Sequence, residues 1–264
     1  MTASVNKPGL NSTTRFSDRV DNYVKYRPAY PPGVLEFLAA ELKLTPSAVL
    51  ADLGSGTGIS AKLFLDNGNL VYGIEPNREM RVAAEAILQG YPNFHSIAGA
   101  AEATTLPDSS VDFVVAAQAF HWFDVSAARA EAVRILKPVG YGILLWNDRL
   151  TQGTPFLQAY EELLLRFGTD YAEINHRNAQ AVDRQALTQF FGHADWRLHT
   201  LPNAQLFDYE GLQGRLLSSS YAPLAGHPNY EPMLQRLREI FVEYEELGKV
   251  RFEYETQVYF GALT

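Results

Sequence analysis

The chain has 264 residues, 47% hydrophobic and 20% charged, with a net charge of −8 and no cysteine. That is an ordinary globular composition, long enough for one large or two small domains with a substantial core. It excludes disulfides and a thiolate metal site. It also argues against nucleic acid as a partner, because phosphate binding needs clustered Lys and Arg and no long basic run exists; a small basic pocket for an anionic substrate stays open.

Residues Met1–Thr14 read as a loose polar tail without the apolar segment of a signal peptide. No window approaches the ~20 apolar residues of a membrane span. A cytoplasmic protein with no membrane partner is the expectation. Next, Tyr23, Tyr26 and Tyr30 lie among Arg27, Pro28, Pro31 and Pro32. Prolines break helices and fix turns, so this stretch suits a strap laid over a pocket, with a plain N-terminal helix as the alternative.

From residue 33 the pattern alternates. A helix is expected over 33–44, from the spacing of Val34, Leu35, Leu38 and Leu42. The apolar run Val49–Leu53 reads as a buried strand and contains Asp52. Gly54, Gly56 and Gly58 follow on alternate positions, and a helix over 59–66 comes next. Glycines let the backbone turn sharply and approach a ligand with no Cβ in the way, and the free N–H groups of the helix start favour acceptor oxygens. A second strand, 70–74, ends at Glu75, where an acid can take both hydroxyls of a ribose. Pro76 and Asn77 open a helix over 78–88. A short strand is expected over 94–97, a strand buried on both faces over 110–117, an amphipathic helix over 125–136, and a fifth strand over 141–146. Helix and strand in alternation predict a mostly parallel, doubly wound sheet with helices on both faces.

The second half reads as helices over 155–167, 186–191, 209–220 and 230–247. A strand over 196–207 is expected to break at Pro202. A final strand, 252–260, alternates apolar and polar residues. The six histidines show no metal-ligand spacing, and there is no zinc-type cluster or Walker-type loop, so no metal site is expected.

The glycine turn is not the dinucleotide fingerprint, since Ile59 stands where the last glycine of G-x-G-x-x-G belongs. The run Asp52-Leu53-Gly54-Ser55-Gly56-Thr57-Gly58 instead resembles the first motif of class I S-adenosylmethionine (SAM) dependent methyltransferases. Tyr26-Arg27-Pro28-Ala29-Tyr30-Pro31 and Gln118-Ala119-Phe120-His121-Trp122-Phe123 are similar to signatures of the type 11 group, which includes relatives of trans-aconitate methyltransferase. The resemblance implies a Rossmann-like methyltransferase fold: a seven-stranded sheet whose last strand runs antiparallel beside strand five. Residues 1–32 would form the tail and strap, and 33–264 the catalytic domain, with a helical cap inserted at about 150–248.

It also implies a site. SAM would be the cofactor and S-adenosylhomocysteine the product. Asp52, Gly54, Ser55, Gly56 and Thr57 would hold the methionine part and Glu75 the ribose, with Pro76 also among the cofactor-binding residues. Ala101 and Glu102 would sit by the adenine, although Ala100 replaces the aspartate usual there. Gln118, Ala119 and Phe120 would emerge near the methyl donor, with Tyr26 and Arg27 capping the site. His121 is the candidate catalytic residue, as a general base or a substrate anchor; a loop-carbonyl contact is the alternative. If the acceptor is a carboxylate no base is needed, and Arg27, Arg149 or Arg177 would matter more. The expected activity is methyl transfer to a small-molecule acceptor, with O- or carboxyl-methylation favoured. A non-catalytic SAM-binding protein and, less favoured, an NAD(P)-dependent oxidoreductase are the alternatives.

Overall fold

The computed structural model describes residues 25–173 and 183–263. The expected tail, Tyr23, His176 and Arg177 lie outside the described residues. The elements in order are α1 (Gly33–Leu42), β1 (Val49–Leu53), α2 (Ile59–Asp66), β2 (Leu70–Ile74), α3 (Arg78–Ile87), β3 (Phe94–Ile97), β4 (Val111–Ala117), α4 (Val125–Ile135) and β5 (Leu136–Arg149). Then follow α5 (Pro155–Phe167), α6 (Arg184–Phe191), β6 (Arg197–Phe207), α7 (Tyr209–Leu217), α8 (Tyr230–Tyr244) and β7 (Val250–Ala262).

The strands form one seven-stranded sheet in the order β3-β2-β1-β4-β5-β7-β6. The first five pair in parallel. β7 lies antiparallel between β5 and β6. The fold class expected from the sequence is thus the one found. Helices cover both faces: α4 and α6 bury Ala128, Ala132, Leu187 and Phe190 on one side, and α1 and α2 bury Val34, Leu38, Ala61 and Phe64 on the other. A third core brings α5, α7 and α8 together over Val250, Phe252 and Tyr254 of β7. This core forms a roof beyond the carboxyl ends of the parallel strands. Asn77, Asp124, Thr154, Asp183 and Asp208 cap their helices by accepting backbone N–H bonds, as short polar side chains at these positions do.

Several element bounds differ from the sequence reading, most of all at β5. β5 begins at Leu136, five residues early, because residues 137–140 bulge between the Val111–Leu136 and Phe113–Tyr141 pairs. Val139 sits on this bulge at φ 67° and is 88% exposed. β6 does not break at Pro202, which keeps register with Glu255. β6 is the sheet's edge, and an edge strand tolerates proline where the missing N–H would face solvent. Among the described residues no helix is long and apolar enough to cross a membrane.

Candidate functional site

The glycine turn is built by backbone bonds from the neighbouring strand. Gly54 N–H and Ser55 N–H both donate to Ile74 O, at 2.8 and 3.1 Å, and Gly58 N–H donates to Ser55 O at 2.9 Å. All three glycines have positive φ, which other residues reach only at a cost. Their surroundings separate them into two kinds. A methyl on Gly54 would lie 2.7 Å from Ala119 Cβ, and one on Gly58 2.6 Å from Leu88 Cδ1. A methyl on Gly56 would meet no atom of the described residues within 4 Å. Gly54 and Gly58 therefore permit close packing, whereas Gly56 borders open space.

Glu75, at the end of β2, faces that same point. Its Oε2 accepts the Gly56 N–H at 3.0 Å and its Oε1 the Asn77 N–H at 2.8 Å. A carboxylate has about four acceptor positions, so acceptor capacity remains for a ligand's hydroxyls. Burial raises the Glu75 pKa, against the opposing pull of the Asn77 and Gly56 N–H groups and the Arg81 charge. Arg81 also donates to the Glu75 and Pro76 carbonyls at 2.7 and 2.9 Å, which fixes the exposed Pro76 turn. The sequence reading missed Arg81 and the donor role of Asn77. An Asn after an acid at a strand end and before a helix is an N-cap signal and could have exposed the second.

Asp52 and Thr57 lie beneath the turn rather than on its open side. Asp52 is fully buried. Its Oδ2 accepts the Ser60 hydroxyl at 2.6 Å, while Oδ1 has no hydrogen-bond partner among the described residues, and neither has the buried Thr57 hydroxyl. Burial pushes the Asp52 pKa up to about 7; the Ser60 bond opposes this and the neighbouring Glu75 charge adds to it. Ser55 is buried with its N–H tied to β2.

Beyond β3, Ala100 and Ala103 exchange two backbone bonds across a tight turn. Ala101 and Glu102 occupy its centre, Ala101 buried and Glu102 half-buried. Glu102 Oε1 accepts the Asp124 N–H at 2.8 Å, so this acid joins the loop after β3 to the loop after β4.

The β4 exit is held under backbone strain. Gln118 has φ 54°, a conformation that costs a non-glycine residue about 1–3 kcal/mol. It is retained by two bonds across to β5: Gln118 N–H to Leu145 O and Gln118 Nε2 to Asn147 O, both 3.0 Å. Its side-chain amide is thereby turned to the strand. Ala119 and Phe120 are buried, with Ala119 against Gly54. His121 is half-buried in the single turn Phe120–Trp122. Its ring packs at 4.7 Å from that of Trp122 and 5.6 Å from that of Trp146.

Asn147 ties this rim to residues 28 and 29. Its amide donates to Pro28 O (3.4 Å) and Ala29 O (3.3 Å), and its oxygen accepts from Thr256 (2.5 Å) and Asn203 (3.1 Å). Tyr26 and Arg27 are carried elsewhere. The Tyr26 ring packs on Gly214 within the roof core, and Arg27 Nη2 donates to Ser218 O at 3.1 Å. The structure thus gathers the 52–57 turn, Glu75, the 101–102 turn and residues 118–121 at the carboxyl ends of the parallel strands. It sets Tyr26 and Arg27 into the roof. Among the described residues no group of three or more His, Asp or Glu side chains could hold a metal ion.

Residues 51–144 match a family model described as a methyltransferase domain. An uncharacterized methyltransferase-like protein of Schizosaccharomyces pombe is 31% identical over 156 residues, 59% of this chain and 59% of its own length. The chain thus matches under two thirds of that relative. Among solved structures, a putative type II methyltransferase from Anaeromyxobacter dehalogenans superposes with a TM-score of 0.64 at 20% identity, over 90% of this chain and 98% of its own. A SAM-dependent methyltransferase from Geobacter sulfurreducens in complex with S-adenosyl-L-homocysteine gives 0.50 at 16% identity, over 97% and 100%. At these identities the structural likeness is one of fold.

Proposed function

We propose that the chain, whose residues 51–144 match a methyltransferase-domain model, is a SAM-dependent methyltransferase acting on a small-molecule acceptor. One observation carries this reading: the Gly56 N–H donates to the Glu75 carboxylate at 3.0 Å beside a space that no described side chain fills. That pairing suits a ligand with adjacent hydroxyls and acceptor oxygens. The solved fold neighbour carrying S-adenosyl-L-homocysteine supports the same ligand here.

When bound, SAM supplies an electrophilic methyl on a cationic sulfonium. Glu75 accepts the ribose hydroxyls, while the Gly54–Thr57 turn presents its backbone to the methionine part. The 101–102 turn borders the adenine. Ala119 and Phe120 back the donor, and Gln118, locked to Asn147 O, fixes the backbone that leads to His121. The roof over β5 and β7 excludes water and orients the acceptor. Holding a nucleophile in line with a leaving group supplies ~7–11 kcal/mol of a barrier, so the enzyme needs little else. An oxygen acceptor is favoured. His121 takes the proton if the acceptor is a hydroxyl, and a carboxylate needs no base.

Titration calorimetry with SAM and with S-adenosylhomocysteine tests the reading, and no binding of either at millimolar ligand defeats it. Binding without turnover on any acceptor would leave a non-catalytic SAM-binding protein.

A further inference from the structure

Arg215, on α7, is a buried cation with neutral partners. It is 4% exposed. Its Nε donates to the Tyr254 hydroxyl at 3.1 Å and its Nη1 to Ser219 Oγ at 3.0 Å. Its guanidinium lies over the rings of Phe252 and Tyr254, 5.5 and 6.0 Å from their centres. The titrating groups that bear on it most are the phenols of Tyr254, Tyr221 and Tyr160. Arg149 makes the contrast. It is half-buried over the Tyr160 ring, and it pairs with Glu161 and donates to the Tyr171 hydroxyl at 2.6 Å. A buried charge without a counter-charge is costly and is ordinarily neutralised or paired.

A second group in the same place is also unsatisfied. The Tyr160 hydroxyl, on α5, is 1% exposed and has no hydrogen-bond partner among the described residues. Tyr221 completes the group. Burial would raise its pKa, but the Arg215, Arg149 and Arg27 guanidiniums together hold it below the ordinary phenol value. The field here therefore favours negative charge, in a protein whose net charge is −8.

The location fits an acceptor's far end. Tyr254 pairs with Arg149, and Thr256 with Asn147, whose carbonyl takes the Gln118 amide. The arginine group thus begins two ladder positions beyond the rim that carries Gln118 and His121. At about 3.3 Å per residue that is roughly 7 Å along the strands, the span of a small organic acid.

We propose that Arg215, Tyr160, Tyr221 and Ser219 form an anchoring subsite for a carboxylate on the methyl acceptor, at the end of the molecule opposite the atom that receives the methyl. A planar guanidinium fork matches a planar carboxylate, and phenol and serine hydroxyls supply its outer donors. A carboxylate gripped this way has its lone pairs engaged, so it serves as a handle and the nucleophile lies toward His121. This inference rests on the methyltransferase reading and deepens it.

The experiment uses the whole protein with S-adenosylhomocysteine bound and succinate as the probe, with succinamide as its neutral counterpart. Calorimetry and thermal unfolding are read together. Saturable binding and stabilisation by succinate but not succinamide are expected. In Arg215→Gln the succinate affinity should fall about 10- to 100-fold, as loss of a charged hydrogen-bond partner predicts. Tyr160→Phe, which removes only the orphaned hydroxyl, should weaken it severalfold. S-Adenosylhomocysteine affinity should be kept in both variants. If Arg215→Gln fails to fold, Tyr160→Phe decides. Equal effects of succinate and succinamide, or unchanged succinate affinity in the variants that fold, overturn the subsite. Failure of S-adenosylhomocysteine to bind wild-type protein would instead overturn the methyltransferase reading.

Discussion

The Gly56 N–H donates to Glu75 Oε2 at 3.0 Å, across nineteen residues of sequence and between adjacent parallel strands. This bond sets the tip of the glycine turn against the strand-end acid. The Glu75 carboxylate is held by two backbone donors, so its free acceptor positions have a fixed direction. Glu75→Gln keeps the size of the side chain and one of its two acceptor oxygens, but it removes the charge and sets an NH2 against one of the two backbone donors. Hydrogen bonds to charged groups contribute about 1.5–3 kcal/mol, so S-adenosylhomocysteine should bind about 10- to 100-fold more weakly, with the fold intact. Calorimetry reads this directly, and an unchanged dissociation constant would remove Glu75 from the cofactor site.

The glycines of the turn should separate stability from binding. Gly54→Ala places a methyl 2.7 Å from Ala119 Cβ at a positive φ. Overpacking costs about 1–3 kcal/mol and the backbone conformation about 1–2 kcal/mol more, so its melting temperature should drop by several degrees. Gly56→Ala carries only the backbone cost, since its methyl meets no described atom within 4 Å, yet that methyl projects into the space assigned to the ligand. It should melt nearer to wild type than Gly54→Ala and lose more S-adenosylhomocysteine affinity relative to its loss of stability. The reverse ranking in paired melting and calorimetric measurements would mean that Gly56 does not border the ligand.

The parallel half of the sheet was legible because its strands carry their information locally. The apolar run of β1, the glycine turn and Glu75 each state a strand, a bend and a strand end without reference to anything distant. Pro202 misled because its tolerance depends on β6 being an edge, which is a property of the whole sheet. Tyr26 and Arg27 lay in a family-like string, yet their positions follow from Gly214 and Ser218, nearly two hundred residues away. Arg215 and Tyr160 gave no signal at all. Their meaning comes from neutral partners around the Arg215 charge and from a Tyr160 hydroxyl without a described partner after folding, and spacing within one helix does not encode that.

Val139 occupies a φ of 67° on the bulge before Tyr141, with its side chain 88% exposed. A β-branched residue there is strained, by about 1–2 kcal/mol, and gains little from packing. Glycine adopts that conformation freely, against an entropic cost of about 0.5–1 kcal/mol. Val139→Gly should therefore raise the denaturant midpoint slightly, by about 0.5–1 kcal/mol of stability, with cofactor affinity unchanged. A lower midpoint would show that the bulge does not hold this conformation in solution.

His121 packs between two tryptophan rings at the rim, with no described bond to the glycine turn or Glu75. Replacing it should act on the transfer step rather than on the cofactor. His121→Ala should keep the S-adenosylhomocysteine dissociation constant within about twofold and lower turnover by about 10²- to 10⁴-fold if it moves a proton. A loss confined to KM would make it an acceptor contact, and unchanged turnover with the true acceptor would remove its catalytic role.

Asp52 should make the fold sensitive to pH in an unusual sense. Burial raises its pKa in the folded protein to about 7, above the ordinary aspartate value near 3.9 that applies to the unfolded chain. The folded state then holds a proton that the unfolded state has released, so this group's contribution is fully present below about pH 4 and is lost as the pH rises to about 7. Glu75 shifts in the same direction. Glu131 shifts the opposite way, down to about 2, chiefly through Arg134, so the whole-protein profile mixes signs and only a variant isolates Asp52. Asp52→Asn cannot ionise, keeps an oxygen for the Ser60 hydroxyl, and leaves the pH-independent packing in place. Its melting temperature relative to wild type should rise between pH 5 and pH 8 and level off above that. A difference that stays constant with pH, or falls, would mean that Asp52 is ionised throughout and that the buried turn holds a charge after all.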